Sequence, residues 1–121
     1  MATYPLSIIT PNGKLFEDQA EFLTAPGVEG SLGVLANHAP MIVALARGII
    51  KVKGANFEQF YALNSGVLEV NAEHAVLILA DIAEKADSFE EAKSTANKLV
   101  DVVTLKKTWI FHKNLLQSAL R

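Results

Sequence analysis

The sequence predicts an α+β protein, in which an antiparallel β-sandwich is followed by a helical hairpin or one long helix. From residue 4 to 81 the apolar residues fall in short runs separated by Gly, Pro and Asn, which is typical of many short strands. At Asp87 the spacing becomes helical, and neither Gly nor Pro follows. The 121 residues, half of them apolar, suffice for one ordinary domain with a small appendage. We therefore expect a β-sandwich domain over residues 1–86 and a C-terminal helical domain over residues 87–121.

The strand predictions rest on period-two alternation and on the turn residues between alternating runs. In chain order the predicted segments are a strand within residues 5–9, a turn at 11–13, a strand at 20–24, a strand at 49–53 with Ile50 and Val52 facing one way, a turn at 54–56, and a strand at 57–63. Residues 76–80 are apolar at every position. This run predicts a strand that is buried on both faces.

The helical segment begins with a capping signal. Ser88 can cap a helix, and Glu91 stands three residues later, as a capping box requires. Two apolar stripes follow at spacings of three and four, the first through Phe89, Ala92, Ala96, Leu99 and Val103, the second through Leu105, Trp109, His112, Leu116 and Ala119. The stripes are out of register by two residues at 103–104, which indicates either a tight turn or a bent single helix.

Composition excludes several classes of function. The net charge is −2, and no cluster of Lys and Arg with interleaved aromatic residues occurs, so nucleic acid is not an expected partner. The absence of cysteine excludes disulfides, thiolate metal sites and a Cys nucleophile. No apolar run approaches the roughly 20 residues that a bilayer-crossing helix needs. We expect a soluble chain without an export signal, a metal or a cofactor.

Residues 26–41, PGVEGSLGVLANHAPM, are the most informative segment. Three glycines can adopt positive φ or admit another backbone closely, while Pro26 and Pro40 fix φ at the two ends. This spacing predicts a shaped loop that presents Glu29 and His38 on a rigid surface. The alternative is an ordinary pair of turns, in which Glu29 is solvated and His38 is a satisfied turn residue.

The sequence contains few features that indicate an enzyme active site. No HExxH, G-x-S-x-G, P-loop or Rossmann pattern occurs, and the G-x-x-G-x-x-G spacing lacks the Lys-Ser/Thr continuation that would cradle phosphate. A small hydrolase using His38 as base, oriented by Glu29 or Asp81, is the least favoured hypothesis because no activated nucleophile or oxyanion motif accompanies them. His74 is expected to be solvated in a turn, and His112 to be packed on its helix.

Six motifs follow one another between residues 10 and 86. They are Thr10-Pro11-Asn12-Gly13, the loop segment 26–35, His38-Ala39-Pro40, the apolar run ending at Gly48, Ser65-Gly66-Val67-Leu68-Glu69-Val70, and the segment 76–86. Their order and spacing resemble the epsilon subunit of F-type ATP synthases, called delta in mitochondria. Members of that family typically carry TPxG, P-G-x-x-G-x-x-G-V/I-L, HAP, GG-x-x-EV and V-T-V-L-A-D-x-A-E-R-A. The resemblance spans about residues 4–94 without a gap.

The resemblance implies a non-catalytic rotor subunit without a cofactor, which joins the gamma subunit to the membrane c-ring. The glycine loop and the HAP segment would lie at the end of the sandwich that meets the c-ring, which makes Glu29, Gly30, Ser31 and His38 the expected contacts. The helices would regulate ATP hydrolysis and meet acidic segments of the catalytic head through Lys93, Lys98, Lys106, Lys107 and Lys113. The protein would be peripheral, on the cytoplasmic face of a bacterial plasma membrane or its organelle equivalent.

The sequence departs from the family in several places. Ala36 stands where proline is common, and Ser65 replaces a glycine. Some bacterial members bind ATP through an I/L-D-x-x-R-A motif, whose aligned positions here read Phe89-Glu90-Glu91-Ala92-Lys93-Ser94. Lysine lacks the planar fork with which arginine grips phosphate. Two further features are shorter than is usual in the family: the connection between the two helical stripes, and the second helix. Adenine-nucleotide sensing is therefore kept as an alternative function.

Overall fold

A computed structural model describes residues 1–99 of the chain, in which ten strands precede one helix. The second helical stripe, with Lys106, Lys107 and Lys113, lies outside the described residues. The elements are β1 (Tyr4–Thr10), β2 (Gly13–Ala20), β3 (Phe22–Gly27), β4 (Gly30–Leu35), β5 (Met41–Leu45), β6 (Gly48–Lys53), β7 (Glu58–Leu63), β8 (Gly66–Val70), β9 (Val76–Ala80), β10 (Ala83–Ala86) and α1 (Phe89–Lys98).

The strands pair in the order β10-β7-β6-β3-β5-β8-β9-β1-β2, and β4 pairs with β3 outside this path. All neighbouring pairs are antiparallel except β1 with β9, where Leu6 lies opposite Val76 in a parallel pair. The inward side chains of all ten strands form one buried cluster, so the sheet folds over a single core. The predicted sandwich followed by a helix is confirmed, with one parallel pair added.

The core follows the alternation along the strands. Ile50 and Val52 of β6 are fully buried on one face, as predicted. Strand β9 differs from its prediction: Val76, Ile78 and Ala80 are buried, Leu77 is half-buried and Leu79 is 40% exposed. The prediction of burial on both faces is wrong because no element of residues 1–99 covers the outer face of this strand.

Helix α1 begins where the capping signal predicts. The backbone N–H of Glu91 donates to the Ser88 hydroxyl oxygen at 3.1 Å, and Ser88 has the extended backbone of an N-cap. The Glu91 carboxylate accepts from the N–H of Asp87 at 3.3 Å, one residue before the cap, where a capping box would use the cap itself. The helix start is therefore confirmed, with a shifted return contact.

The helix packs on the outer face of β6, β7 and β10. Ala96 and Leu99 are buried against Ala62 and Ile82 in a cluster separate from the main core. Phe89, expected on the buried stripe, is instead 51% exposed, and its ring meets the edge of the Phe60 ring at a centroid distance of 6.4 Å. The helix therefore packs on the surface of the sandwich and contributes nothing to its main core.

Candidate functional site

The segment predicted as a loop is mostly a β-hairpin. Strand β3 ends at Gly27, residues 28–29 form the turn, and β4 begins at Gly30. Gly30 has φ +132°, a conformation that disfavours any side chain. A Cβ added to Gly27 would lie 2.6 Å from the Gly30 carbonyl oxygen. The glycines therefore shape a tight hairpin tip, although most of the predicted loop is strand.

The hairpin tip, residues 28–31, stands out from the sandwich. Val28 is 60% exposed, and Glu29, Gly30 and Ser31 are exposed beside it. Backbone hydrogen bonds fix the tip to β5 and the residue after it: the N–H of Val28 donates to the Ala44 carbonyl at 3.0 Å, and the N–H of Ala46 donates to the Pro26 carbonyl at 2.7 Å. The tip is consequently an anchored, exposed projection. The tip and residues 42–44 of β5 line a groove of about 460 Å³.

His38 lies in the connection between β4 and β5. Gly30 pairs with Gly27 at one end of the hairpin, and Leu35 pairs with Phe22 at the other. His38 follows Leu35, and six residues of strand at about 3.3 Å each put roughly 20 Å between the two ends. His38 then leads through residues 39–40 into β5, whose residues 42–44 line one groove with the tip, so a shared contact of the glycine segment and the HAP segment stays a prediction.

The strand pairings separate Asp81 from His38. Asp81 follows β9 at the end where Ala80 pairs with Gly66, and Gly66 pairs with Leu45 of β5. His38 instead precedes β5 at its Met41 end. Asp81 is buried and accepts a hydrogen bond from the Ser65 hydroxyl. Asp81 therefore cannot orient the His38 ring, so this part of the hydrolase hypothesis is wrong.

His74, expected to be solvated, is half-buried and holds the connection between β4 and β5. Its Nδ1 donates to the His38 backbone carbonyl at 2.9 Å. Its own backbone has φ +65°, and the turn around it is stabilised by the Asn71 side-chain oxygen, which accepts from the N–H groups of Glu73 and Ala75. Histidine is among the residues enriched at positive φ, and this preference was the one sequence signal for the place of His74 in the turn.

An exposed apolar surface crosses β5, β8, β9 and β1. In one cross-strand row, Ala44 lies opposite Val67, Val67 opposite Leu79, and Leu79 opposite Ile9. Val67 and Leu79 are each 40% exposed, and in the next row Ile42 is 72% exposed. We call the outer surface of these four strands, which includes Ile42, Val67 and Leu79, the apolar face. This face was not predicted from the sequence, although the continuous apolar run of β9 was a signal of it.

The regulatory lysines within the described residues lie on α1. Lys98 is exposed in the last helical turn. Lys93 lines a groove of about 370 Å³ between the helix and strands β3, β4 and β6, where Arg47 is a second cation and Ser31 and Asn97 add polar groups. Lys93 and Arg47 are both exposed. The groove is thus an open, cationic surface next to the sandwich.

The perturbed titratable groups are structural. Burial raises the pKa of Tyr4, whose hydroxyl donates to the Val34 carbonyl at 2.8 Å and ties β1 to β4. Burial also raises the pKa of Tyr61, whose hydroxyl donates to Gln59 at 2.6 Å. Within residues 1–99, no group of three or more His, Asp or Glu side chains could hold a metal ion. No helix in this range is long and apolar enough to cross a bilayer.

Comparisons with known proteins agree with this architecture. Residues 3–86 match the family described as ATP synthase, Delta/Epsilon chain, beta-sandwich domain. The ATP synthase epsilon chain of Pelotomaculum thermopropionicum is 39% identical over 94 residues, covering 78% of this chain and 69% of that one. The sodium-ion-specific ATP synthase epsilon chain of Propionigenium modestum is 41% identical over 98 residues, covering 79% and 71%.

Solved structures show the same fold. A chain of the Euglena gracilis mitochondrial ATP synthase, solved as OSCP/F1/c-ring, aligns with a TM-score of 0.67 at 22% identity, covering 100% of this chain and 83% of that one. A chain from the central stalk and c-ring of the Tetrahymena thermophila mitochondrial enzyme gives 0.62 at 18% identity, covering 90% and 96%. Taken with the sequence matches, these likenesses establish that the chain belongs to the epsilon chain family of ATP synthase, whose members are non-catalytic subunits.

Proposed function

We propose that this subunit joins gamma to the c-ring, so that torque from proton or sodium flow reaches the catalytic head. The observation that carries the proposal is the presence of an exposed apolar face and an exposed hairpin tip, which adjoin at β5 on one sandwich with a shared core. A single packed core resists deformation, so force applied at one surface is transmitted to the other. The protein would act at the cytoplasmic face of a bacterial plasma membrane, or its organelle equivalent.

The hairpin tip is the proposed contact with polar loops of the c-ring. Glu29 and the Ser31 hydroxyl offer hydrogen-bonding groups, and Gly30 lets a partner approach the backbone closely. Backbone hydrogen bonds to residues 44 and 46 hold the tip in place, as a contact that transmits force requires. His38, in the connection between β4 and β5, is a further proposed contact with the c-ring.

The apolar face is the proposed contact with gamma. Exposed Ile42, Val67 and Leu79 form an apolar surface across neighbouring strands, a feature that commonly marks a protein interface. Because β5 carries both Ala44 beside the tip and Ile42 on this face, one strand connects the two proposed contacts.

Substitutions at the tip test the c-ring contact. Glu29→Ala removes an exposed group, so the free energy of unfolding should change by about 0.5 kcal/mol or less. ATP-driven ion pumping in vesicles containing the assembled complex should fall relative to ATP hydrolysis. Glu84→Ala, at an exposed position on β10, is the matched control and should leave this coupling ratio unchanged. A loss of several kcal/mol with normal c-ring association would instead make the tip a folding element.

Regulation of hydrolysis by the helical segment is the second part of the proposal. Lys93 and Lys98 of α1 are exposed and can meet acidic segments of the catalytic head transiently. Lys106, Lys107 and Lys113, outside the described residues, are proposed as further contacts with the catalytic head.

Nucleotide sensing is a second candidate, favoured by the groove that Lys93 and Arg47 line. We expect ATP at millimolar concentration to give no saturable heat in calorimetry, because an exposed lysine is a point charge and cannot grip phosphate bidentately. A dissociation constant in the low micromolar range that Lys93→Ala abolishes would overturn this expectation and establish the sensor.

A further inference from the structure

A carboxylate stands within the apolar face. Glu69 of β8 points outward between two apolar neighbours, with Ile42 opposite it on β5 and Leu77 opposite it on β9. Its side chain is exposed, and the two ion pairs of residues 1–99 join Lys14 to Glu17 and Lys51 to Glu58. Glu69 therefore has no cationic partner among the described residues.

The strands that build the apolar face supply no cation either. Strands β5, β8, β9 and β1 contain neither lysine nor arginine. The neighbouring strand β2 carries Lys14, which is already paired with Glu17. When the apolar face is covered, the Glu69 carboxylate loses water and must gain a new partner, because an unpaired buried charge is strongly unfavourable.

We propose that Glu69 determines the specificity of the gamma-facing surface by pairing with an arginine or lysine that gamma places among apolar side chains. The inference rests on the proposed role of the apolar face. An arginine suits the site best, since its planar fork binds a carboxylate bidentately and its weak hydration favours interfaces. The apolar neighbours exclude water around the pair, as in the centre of other interfaces.

The same carboxylate disfavours the wrong partner. A second copy of the chain docking face to face would bring only strands without lysine or arginine, leaving both Glu69 carboxylates unpaired. Repulsion and desolvation of this kind discriminate against alternative partners. Glu69 thus keeps an exposed apolar face from self-association while it selects a cationic one.

The test measures binding of the full chain to the purified gamma subunit of the same complex. Glu69→Gln should weaken binding at least tenfold, and Glu69→Lys at least a hundredfold, because each leaves the gamma cation without its counter-charge. Glu84→Gln is the matched control and should bind within twofold of the parent. Since Glu69 is exposed, all variants should unfold at the parent's denaturant midpoint.

Charge exchange identifies the partner group. A glutamate replacing the contacted gamma cation should abolish binding to the parent, and Glu69→Arg should restore it. Parent-like binding by Glu69→Gln, while Ile42→Ser weakens binding, would overturn the role of Glu69 and leave the apolar face as gamma's contact. Parent-like binding by Ile42→Ser and Leu79→Ser, or no binding by the parent, would overturn the proposed gamma contact itself.

Discussion

Ile78→Ala should lower the free energy of unfolding by about 2–5 kcal/mol, the usual cost of deleting buried methyl groups and leaving a cavity. Ile78 is fully buried at the centre of β9, where Leu68 lies opposite it on one side and Ile8 on the other. Chemical denaturation followed by circular dichroism measures the change. Weaker gamma binding by this variant should follow only from its unfolded fraction.

Leu79→Ala is the control, one residue along the same strand. Its side chain is 40% exposed on the outer face, so the free energy of unfolding should fall by about 1 kcal/mol or less. Gamma binding should nevertheless weaken, since Leu79 belongs to the apolar face. Equal destabilisation by the two substitutions would mean that β9 is covered on both sides.

Truncation after Ala86 should leave a folded sandwich that no longer restrains ATP hydrolysis. The main core contains no residue of α1, whereas Ala96 and Leu99 form a separate cluster with Ala62 and Ile82. Uncovering these two sandwich side chains should cost about 1–2 kcal/mol of stability. The truncated chain should still bind gamma and support ATP-driven pumping, while ATPase turnover in the assembled complex rises.

Two results would contradict this division of roles. A truncated chain that fails to fold would show that the helix is integral to the core, and the two-domain description would fail. Unchanged hydrolysis by a complex containing the folded, truncated chain would show that the helical segment has lost any regulatory role. Lys93→Ala together with Lys98→Ala in the full chain serves as the milder comparison, because it removes charge without uncovering Ala62.

The sequence predicted those features that depend on local chemistry. Alternation in residues 49–53 indicated which side chains of β6 enter the core, and the Ser88 signal located the start of α1. Gly27 and Gly30 were expected to permit a close approach and a positive φ, and they do so at the hairpin tip.

The errors concern features that depend on distant parts of the chain. Whether Leu79 is covered is decided by elements far away in sequence, so its apolar character could not reveal its exposure. The hairpin over residues 22–35 depends on residues 30–35 forming a strand, which their glycine content obscured. Likewise, the apolar face exists only because β5, β8, β9 and β1 become neighbours in the sheet.

Co-purification of the chain from the cells that produce it tests most directly whether it is a rotor subunit. The tagged full chain should recover gamma, the catalytic head and the c-ring in one complex that hydrolyses ATP, and Leu79→Ser with Ile42→Ser should release gamma while the chain stays folded. Recovery of a monomer without gamma, or of a free chain with its own hydrolase turnover, would contradict the role of a rotor subunit.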